Sequence, residues 1–499
     1  MSTTAASQIT SKIYSCHFIG GRWIPATSDD VHTSVNPATE EPIGSVPAAA
    51  TADVESAISA ARMAFDAGPW PQLPPRGRAK TMAAMGAIMR RRQQELIELD
   101  IAEAGRARLL AESVFVDEPI KHWEDMVDRV LPAFPFTAGQ PPFVSMGSIG
   151  QGVVQRRPYG VATVITPFNA PFFLATVKLA AALAAGCTVV LKPSPLTPLS
   201  AFLMAEIAEE AGLPPGVLNV VSADADAATL LTTHPSVDLI SFTGSDEIGR
   251  KVSEQASPGF KKLVLELGGK SANIICRGAD LSKVIPDVVT NFTVNCGQGC
   301  ALLTRTLVHE SLHAELLSGL LAAVEQVKVG EPTDPTVMMG PLISARQRTR
   351  VEELTATGIA EGATLSAGGR RPAHLKRGFY FEPTVFSDVD NAMTIAQREF
   401  FGPVTTVIPF RDVDEAVRIA NDSRYGLAGG VWSDNALEAY EIGSRLQAGY
   451  VSINGGHVGL SPHSAFGGYK ASGLGREWGA HGLDEFLQHT TLVWPVATG

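Results

Sequence analysis

Between residues 153 and 256 the chain alternates short apolar segments with longer segments of helical pattern, and this alternation limits the folds it can adopt. The apolar segments read, in chain order, GVATVITP, CTVVLKPS, VLNVVSA and DLISFTGS. The helical segments between and after them read FLATVKLAAALAAG, LSAFLMAEIAEEAG and DEIGRKVSEQA. Apolar strands that alternate with helices at this spacing predict an α/β fold with a parallel sheet covered by helices on both faces.

Three polar residues lie where these predicted strands end. They are Asn169, Lys192 and Ser245. In open parallel sheets ligands bind beyond the carboxyl ends of the strands. We therefore expect these side chains to lie at a ligand site.

The rest of the chain divides into three further parts. Before residue 130 the pattern is helical, as in ADVESAISAARMAFDAG, where Val54, Ile58, Ala61 and Phe65 recur at helical spacing. The Pro-rich segment FPFTAGQPPFVSMGS is typical of a connector or an extended arm. A second α/β region follows from about 264 to 470, and TTLVWPVATG at the end of the sequence predicts a final strand.

Composition excludes several classes of protein. Charged residues make up 18% and hydrophobic residues 45% of the 499 residues, as in a compact soluble protein. The net charge of -11 argues against a nucleic-acid binder, which needs a basic face. MSTTAASQITSKIYSCHF lacks the apolar core of a signal peptide, and the longest apolar run, 179–191, is too short to span a bilayer. Five cysteines, an odd number, indicate a reducing compartment, so we expect a cytoplasmic protein.

The nucleotide motifs of the sequence are incomplete. The dinucleotide fingerprint Gly-x-Gly-x-x-Gly is absent. GSDEIGRK resembles a phosphate loop, but Arg250 stands where that motif requires Lys, and Val252 follows Lys251. As a turn before a helix N-terminus, the segment could hold one phosphate through backbone N–H groups or could serve only as a glycine turn.

The segment CGQGCALLTRTLVHESLH, residues 296–313, contains a zinc-like His-Glu-x-x-His spacing and a thiol flanked by glycine. A zinc helix needs both histidines on one face of one helix. TRTLVH, however, has the β-branched pattern of a strand, so His309 would end a strand while His313 begins a helix. We therefore expect no metal site.

The thiol of Cys300 is the alternative candidate in this segment. A free thiol has a pKa of roughly 8.5, so a reactive one needs a helix N-terminus or a positive neighbour. Gly297 and Gly299 remove side chains around Cys300, whereas Cys296 is predicted to be a small buried residue. Taken alone, this pattern does not separate a catalytic from a structural cysteine.

Eight blocks of the sequence, in order, resemble the aldehyde dehydrogenase superfamily over nearly the full chain. They are TPFNAPF, VLKPSPLTP, FTGSDEIGR, LELGGKSANII, NCGQGC, REFFGPV, NDSRYGLAGGVW and FGGYKASGLGRE. Several blocks in the right order are more specific than any single motif. The resemblance favours the thiol over the metal. It implies a Rossmann-type parallel-sheet cofactor domain, an α/β catalytic domain and a small β oligomerisation arm.

The resemblance also implies catalytic roles for matched positions. Cys300 would attack the aldehyde carbon, and Asn169 would stabilise the resulting alkoxide together with the Cys300 backbone N–H. Glu266 matches the general base that activates water against the thioester, and an apolar strand end would raise its pKa. Glu477 and Lys178 match a pair that relays the proton. Relatives that transfer the acyl group to CoA lack this Glu, so Glu266 favours hydrolysis.

A nicotinamide cofactor is the next implication of the resemblance. The positions that match its contacts are Thr166, Pro167, Phe168, Lys192, Ser194, Gly244, Ser245, Leu267, Glu399 and Phe401. NAD-using relatives place Glu three residues after Lys192, where this chain has Pro195. Proline accepts no ribose hydrogen bond and repels no 2′-phosphate. Because no added Arg replaces that Glu, we expect NAD⁺, with NADP⁺ as the alternative.

The family's substrate tunnel gives a further expectation. The matching positions are Ala170, Phe173, Val177, Val294, Gly299, Ala301 and His457. Most are small or apolar and none is Arg, whereas a carboxylate-bearing semialdehyde would require a cationic anchor. We expect an uncharged aromatic, terpenoid or medium-chain aldehyde. His457 could meet a polar group, although a histidine on a surface loop is the ordinary interpretation.

Domain limits complete the set of expectations. The cofactor domain is predicted at 1–135 and 153–263, the catalytic domain at 264–472, and the oligomerisation arm at 136–152 and 473–499. The arm resembles the family's oligomerisation element, so we expect a homodimer or homotetramer. We expect no nucleic-acid or membrane partner.

Overall fold

The computed structural model describes residues 12–145, 148–456 and 461–496. Its first sheet contains eight strands, in the spatial order Gly473–Leu474, Lys262–Glu266, Leu239–Thr243, Val161–Ile165, Thr188–Lys192, Leu218–Val220, Cys16–Ile19 and Arg22–Pro25. The five strands from Lys262–Glu266 to Leu218–Val220 run parallel. The parallel sheet predicted from the alternating pattern is confirmed.

Helices cover both faces of this sheet. The longer ones are Thr51–Ala67, Pro75–Arg91, Gln93–Ala104, Asp117–Asp125, Pro171–Ala185, Leu199–Glu210 and Asp246–Ala256. Successive strand residues point to opposite faces. Val189 and Leu191 accordingly pack in one buried apolar cluster, while Val190 between them packs in another. The near-continuous apolar runs of the sequence follow from this two-sided burial.

A second sheet of seven strands lies in the later part of the chain. Its spatial order is Thr364–Ala367, Thr384–Ser387, Val404–Phe410, Arg305–His309, Ala272–Ile275, Ala428–Trp432 and Tyr450–Ile453. All neighbouring pairs are parallel except the first. The helices of this region are Leu281–Thr293, His313–Val324, Ala345–Ala360, Thr394–Gln397, Val413–Asn421 and Ala436–Ser444. The predicted second α/β region is confirmed.

Two smaller sheets complete the fold. Antiparallel strands Thr137–Ser145, Ser148–Pro158 and Leu487–Pro495 form the arm, so the Pro-rich segment is an extended arm and the tail is a strand, as predicted. Lys12–Ile13, Val31–Asn36, Glu41–Ala49 and Ser222–Ala223 form the other sheet. Helix Gly479–Glu485 leads into the last arm strand.

The sheets differ from the predicted domain limits at two places. The limit after residue 263 falls inside Lys262–Glu266, whose last residue still pairs with Thr243 in the first sheet. Gly473–Leu474, which we assigned to the arm, pairs with the same strand. Backbone pairing, which composition does not reveal, therefore places both segments in the first sheet. The remaining domain division stays a prediction.

The helices of the described residues carry no long apolar span. Within the described ranges, none has the length and apolar character needed to cross a membrane.

Candidate active site

A cleft of about 650 Å³ opens at the carboxyl edge of the first sheet, between this sheet and the region of the second. It brings together nine of the predicted site residues, namely Pro167, Phe168, Asn169, Gly244, Ser245, Leu267, Cys300, Glu399 and Phe401. Side chains that the sequence did not single out, including Thr243, Arg350 and Arg424, also line it. The volume lies in the range of small-molecule and cofactor sites.

A tight turn delivers Cys300 to this cleft. Helix Leu281–Thr293 ends, and Asn295, Cys296 and Gly297 then take φ values of 52°, 53° and 68°. Two non-glycine residues in the left-handed region are unusual and typical of functional sites. Cys296 is buried, as predicted, while Cys300 is partly exposed.

The two glycines of this turn have a role other than the one predicted. A β-carbon at Gly297 would lie 2.1 Å from the carbonyl oxygen of Gly402, so Gly297 allows a close approach of two backbones. A β-carbon at Gly299 would lie 2.8 Å from Leu302 Cγ. Both glycines therefore make room for packed atoms and serve the fold of the turn.

The environment of the Cys300 thiol is acidic. Removal from water, followed by the carboxyl groups of Glu266 and Glu399, raises the pKa of Cys300 to about 12. A reactive thiol was expected to have a helix N-terminus or a positive neighbour, and the carboxyl groups of Glu266 and Glu399 act on its pKa instead. The sulfur is consequently protonated at neutral pH and needs a base or an added positive charge to become a thiolate.

Asn169 lies in the loop between strand Val161–Ile165 and helix Pro171–Ala185. Its side-chain Nδ2 donates to the carbonyl of Gln298 at 3.0 Å. Asn295 Nδ2 donates to the carbonyls of both Asn169 and Gln298, each at 3.0 Å. This network fixes an amide donor beside the loop that carries Cys300, as an oxyanion site requires.

Glu266 ends strand Lys262–Glu266 and is 1% exposed. Within the described part of the chain, neither of its carboxylate oxygens has a hydrogen-bond partner. Burial raises its pKa well above the usual range, Glu477 raises it further, and Lys178 opposes the shift. A carboxylate with a raised pKa is a stronger proton acceptor than an ordinary one.

Lys178 and Glu477 form a buried ion pair close to Glu266. Lys178 Nζ donates to Glu477 and also to Ser241 Oγ at 3.0 Å. The side chains of the pair are 1% and 7% exposed. Both predicted relay residues therefore lie together, and each affects the pKa of Glu266.

Glu399 and Phe401 stand on the other wall of the cleft. Glu399 accepts a hydrogen bond from the Gly269 N–H at 3.0 Å, and removal from water raises its pKa to about 7. A β-carbon at Gly268 would lie 2.6 Å from Glu399 Oε2. Phe401 meets Phe168 edge to face, with centroids 5.7 Å apart. These groups offer an acceptor and two rings to a ligand in the cleft.

The remaining predicted cofactor positions lie near the strand ends. Lys192 is buried, burial lowers its pKa to about 8, and its Nζ donates to the carbonyl of Pro193 at 3.1 Å. Thr166 N donates to the carbonyl of Lys192 at 3.0 Å. Ser194 Oγ accepts from Leu196 N at 3.3 Å, and Ser245 caps helix Asp246–Ala256. Thr166, Lys192 and Ser194 are outside the lining of the cleft itself.

An apolar cluster stands on the opposite side of Cys300. Its buried members are Ala170, Phe173, Val177, Leu427, Phe466 and Trp478, and Phe115, Leu174, Cys300 and Ala301 pack against it. Four residues predicted to line the tunnel, Ala170, Phe173, Val177 and Ala301, belong to this cluster or pack against it, and their role stays a prediction. Val294, which begins the turn before Cys300, is not part of this cluster. Gly299 directly precedes Cys300 in the sequence. His457 lies outside the described residues.

Of the aromatic residues in or against this cluster, Phe173 was predicted, whereas Phe115, Phe466 and Trp478 were not. Trp478 stacks on Phe466 with centroids 4.3 Å apart, and Phe115 meets Phe173 edge to face at 6.4 Å. Phe115 and Trp478 come from segments hundreds of residues apart. The sequence offered one indication that Trp478 lies at the site, namely its position directly after the matched Glu477.

The histidines of the zinc-like motif are separated as predicted. His309 ends strand Arg305–His309, and His313 begins helix His313–Val324. No group of three or more metal-binding side chains occurs within residues 12–145, 148–456 and 461–496.

Comparison with known proteins agrees with this site. The profile of the Aldehyde dehydrogenase family matches residues 23–492. An aldehyde dehydrogenase of Mycobacterium tuberculosis, solved as a complex with NAD⁺, is 43% identical, with a TM-score of 0.94 over 97% of this chain and 99% of that chain. An aldehyde dehydrogenase C mutant of Pseudomonas syringae, complexed with NAD⁺ and octanal, is 38% identical, with a TM-score of 0.90 over 97% of both chains.

A relative of known name extends the comparison. Betaine aldehyde dehydrogenase of Bacillus subtilis is 38% identical over 476 residues, which cover 94% of this chain and 95% of that protein. The family profile matches nearly all of the sequence, and this relative is similar over nearly all of both chains. The chain belongs to the aldehyde dehydrogenase family.

Proposed function

We propose that this protein oxidises an uncharged hydrophobic aldehyde to the carboxylic acid, with NAD⁺ as hydride acceptor and Cys300 as covalent nucleophile. The observation that carries the proposal is the position of Cys300. It lines the polar cleft on one side and packs against the aromatic cluster on the other. An aldehyde in the cluster and a cofactor in the cleft would meet at this sulfur.

The cleft suits a dinucleotide. Ser245 begins a helix of eleven residues there, and the N–H groups of such a helix start attract phosphate. Thr243 lines the cleft, and its buried Oγ1 has no hydrogen-bond partner among the described residues. Glu399 would accept a hydrogen bond from a ribose hydroxyl of the cofactor. Lys192 would contact its adenosine ribose, and Phe401 would form the wall beside its nicotinamide ring. NAD⁺ bound there would supply hydride acceptance.

The protein's own groups would perform the remaining chemistry. With NAD⁺ bound, the Cys300 thiol would lose its proton to solvent, because an added positive charge favours the thiolate. Attack by this sulfur on the aldehyde carbon gives a thiohemiacetal, whose alkoxide the Asn169 amide stabilises. Loss of hydride leaves a thioester on Cys300. Glu266 then takes a proton from water, whose oxygen attacks the thioester and releases the acid and the Cys300 thiolate. The Lys178–Glu477 pair would pass the proton onward.

Glu266 also favours water over CoA as the acyl acceptor. Transfer of the acyl group to CoA needs no base to activate water, so it would leave the buried, unpartnered carboxyl group of Glu266 without a catalytic role. The CoA-acylating reaction is the alternative to hydrolysis. Product analysis with and without CoA separates the two activities, because a hydrolytic enzyme yields the free acid in both assays.

The aromatic cluster supports the proposed substrate class. Phe115, Phe173, Phe466 and Trp478 would contact the aldehyde's hydrocarbon part, and octanal is bound in the similar P. syringae enzyme. Rings also attract quaternary ammonium groups, so betaine aldehyde, named for the B. subtilis relative, is a second candidate. A carboxylate-bearing semialdehyde would require a cationic anchor.

The experiment is a panel of kcat/KM values with NAD⁺ and with NADP⁺. Octanal and benzaldehyde represent the proposed class, and betaine aldehyde and succinic semialdehyde represent the alternatives. We expect the highest values for a hydrophobic aldehyde with NAD⁺, and no product with Cys300→Ala. A preference for succinic semialdehyde would overturn the substrate class. A preference for NADP⁺ would overturn the cofactor and leave the oxidation standing.

We further propose that the arm joins copies of this chain. Val144 and Val493 on its strands are 77% and 59% exposed, and Phe143, Leu492 and Trp494 are exposed beside them. Such an apolar patch is typical of an interface, and the resemblance implies a dimer or tetramer. Light scattering should give a multiple of the monomer mass. All five cysteines are free, so a reducing, cytoplasmic location stays our prediction.

A further inference from the structure

Arg106 is a buried cation beside the candidate active site to which none of the roles above has been assigned. It follows helix Gln93–Ala104, and its Nε and Nη2 donate to the carboxylate of Asp100 at 2.5 and 3.3 Å. The two side chains are 0% and 1% exposed. A buried ion pair loses hydration and is often less stable than apolar side chains of the same volume. Stability alone therefore gives a weak reason for this pair.

The same guanidinium group holds the backbone of Asn169. Nη2 of Arg106 donates to the main-chain oxygen of Asn169 at 2.8 Å. Asn295 Nδ2 donates to the same oxygen at 3.0 Å. The side-chain amide of Asn169, in turn, donates to Gln298 two residues before Cys300. Two donors thus fix the backbone of the residue whose amide would stabilise the alkoxide.

Arg106 also contacts the aromatic cluster. Its guanidinium carbon lies 3.3 Å from the centroid of the Phe115 ring. Phe115 meets Phe173, a buried member of the cluster against which Cys300 also packs. A planar cation on the face of a ring is attracted by the ring's quadrupole. One side chain therefore touches both the oxyanion side and the aldehyde side of the site.

The position of Arg106 is set by the residue before it. Gly105 has a φ of 67°, and a β-carbon there would lie 2.5 Å from Pro37 Cγ and 2.9 Å from Pro341 Cγ. Only glycine fits this crossing without displacement. Lysine at 106 could not replace the guanidinium, since one ammonium group cannot pair with Asp100, bind the Asn169 carbonyl and stack on Phe115 together.

We propose that Arg106 is a positioning residue: it holds Asn169 in the geometry of an oxyanion donor and fixes Phe115 on the aldehyde wall. The inference rests on the proposed function. Arg106 acts through Asn169, so its loss lowers kcat more than it raises KM for a small aldehyde. Loss of its contact with Phe115 should also raise KM for a bulky aldehyde.

The test is a double-mutant cycle of Arg106→Lys and Asn169→Ala in the full-length enzyme. kcat is measured per reactive Cys300 thiol, counted by titration, so misfolded protein does not contribute. We expect Arg106→Lys to lower kcat by about 10- to 100-fold in the wild-type background, as removal of supporting contacts does elsewhere. In the Asn169→Ala background it should change kcat by less than about twofold, because the donor it positions is already gone.

Arg78→Lys is the matched control. Arg78 is equally buried, donates to the main-chain oxygens of Ala184 and Leu73 at 3.0 and 2.6 Å, and faces the ring of Phe136. It should lower the melting temperature and leave kcat per thiol unchanged. Where Arg106→Lys yields no folded enzyme, Asp100→Asn loosens the same guanidinium and should lower kcat in the same way.

The outcomes distinguish the inference from the function on which it rests. Equal losses from Arg106→Lys in both backgrounds, or an unchanged kcat per thiol, would overturn the positioning role. An unmodified enzyme that oxidises no aldehyde would instead overturn the proposed function. A loss shared by the Arg78→Lys control would show a general effect on folding and would count against the inference.

Discussion

Gly269 lies so close to Cys300 that a β-carbon at residue 269 would stand 2.4 Å from the carbonyl oxygen of Cys300. The backbone at Gly269, three residues after Glu266, therefore packs directly against the backbone of Cys300. Any side chain at 269 must displace the loop that carries the sulfur. A contact this close between two segments of the site has a direct kinetic consequence.

Gly269→Ala should reduce kcat/KM by at least about 100-fold, because a shift on the order of 1 Å at the reacting atom has such an effect. Gly139→Ala is its control, since a β-carbon at Gly139 meets nothing within 4 Å. Steady-state kinetics and the melting temperature of both variants provide the measurement. Equal activities would mean that the loop tolerates displacement and that its geometry is not critical.

The pH dependence of stability should carry the signature of Glu103. This fully buried carboxyl group accepts from Leu199 N at 2.8 Å, and burial raises its pKa to about 8. Between about 4.5, the unfolded value, and 8, the folded chain binds this proton and the unfolded chain does not, so stability falls as pH rises. The slope is on the order of 1.4 kcal/mol per pH unit inside this window.

Glu103→Gln, which resembles the protonated acid, removes that contribution. The melting temperature of the variant should therefore decline less between pH 5 and pH 8 than that of the unmodified protein. Thermal unfolding at matched protein concentration measures the difference. Parallel curves for the two proteins would show that Glu103 ionises normally in the folded state.

The aromatic cluster predicts a size-dependent effect of Trp478. Trp478→Leu removes a ring stacked on Phe466 at 4.3 Å and enlarges the aldehyde side of the site. We expect kcat/KM for benzaldehyde to fall by about tenfold, the value of one aromatic contact, and that for acetaldehyde to change little. Acetaldehyde serves as the internal control, and a uniform loss for both aldehydes would contradict the assignment.

Hydrolysis should slow in acid because of Glu266. Its pKa is raised by burial and by Glu477, so the carboxylate form that accepts a proton is lost as pH falls. The steady-state rate should therefore decrease toward low pH with one protonation, while the first-turnover burst of NADH remains. Glu266→Gln should abolish this limb of the profile. A burst that is lost in parallel with the steady-state rate would place the titration elsewhere.

Local sequence pattern was enough to predict the four parallel strands of the first sheet that lie between residues 161 and 243. Val189, Val190 and Leu191 are apolar in succession because both faces of their strand are buried, and this is visible in any window of the sequence. The strand ends then placed Asn169 and Ser245 at one edge. Cys300 was a candidate from its glycine-flanked position, but its role and the identification of Glu266 depended on ordered blocks that resemble a family.

What the sequence could not predict depends on contacts between distant segments. Phe115 and Trp478 each contact Phe173 only after three parts of the chain have packed, and no local period records those contacts. The acidic surroundings of Cys300 were missed for the same reason, since Glu399 reaches the site from another strand region. The strand pairing of Glu266 with Gly473 likewise moved a predicted domain limit.

The central claim is that an acyl group rests on Cys300 until Glu266 activates water. The most direct measurement is denaturing mass spectrometry of Glu266→Gln after mixing with octanal and NAD⁺. The account predicts a mass increase of one octanoyl group per chain, located by peptide mapping to Cys300 and absent when Cys300→Ala is added. An unmodified chain that has nevertheless formed NADH, or an acyl group on any other residue, would contradict it.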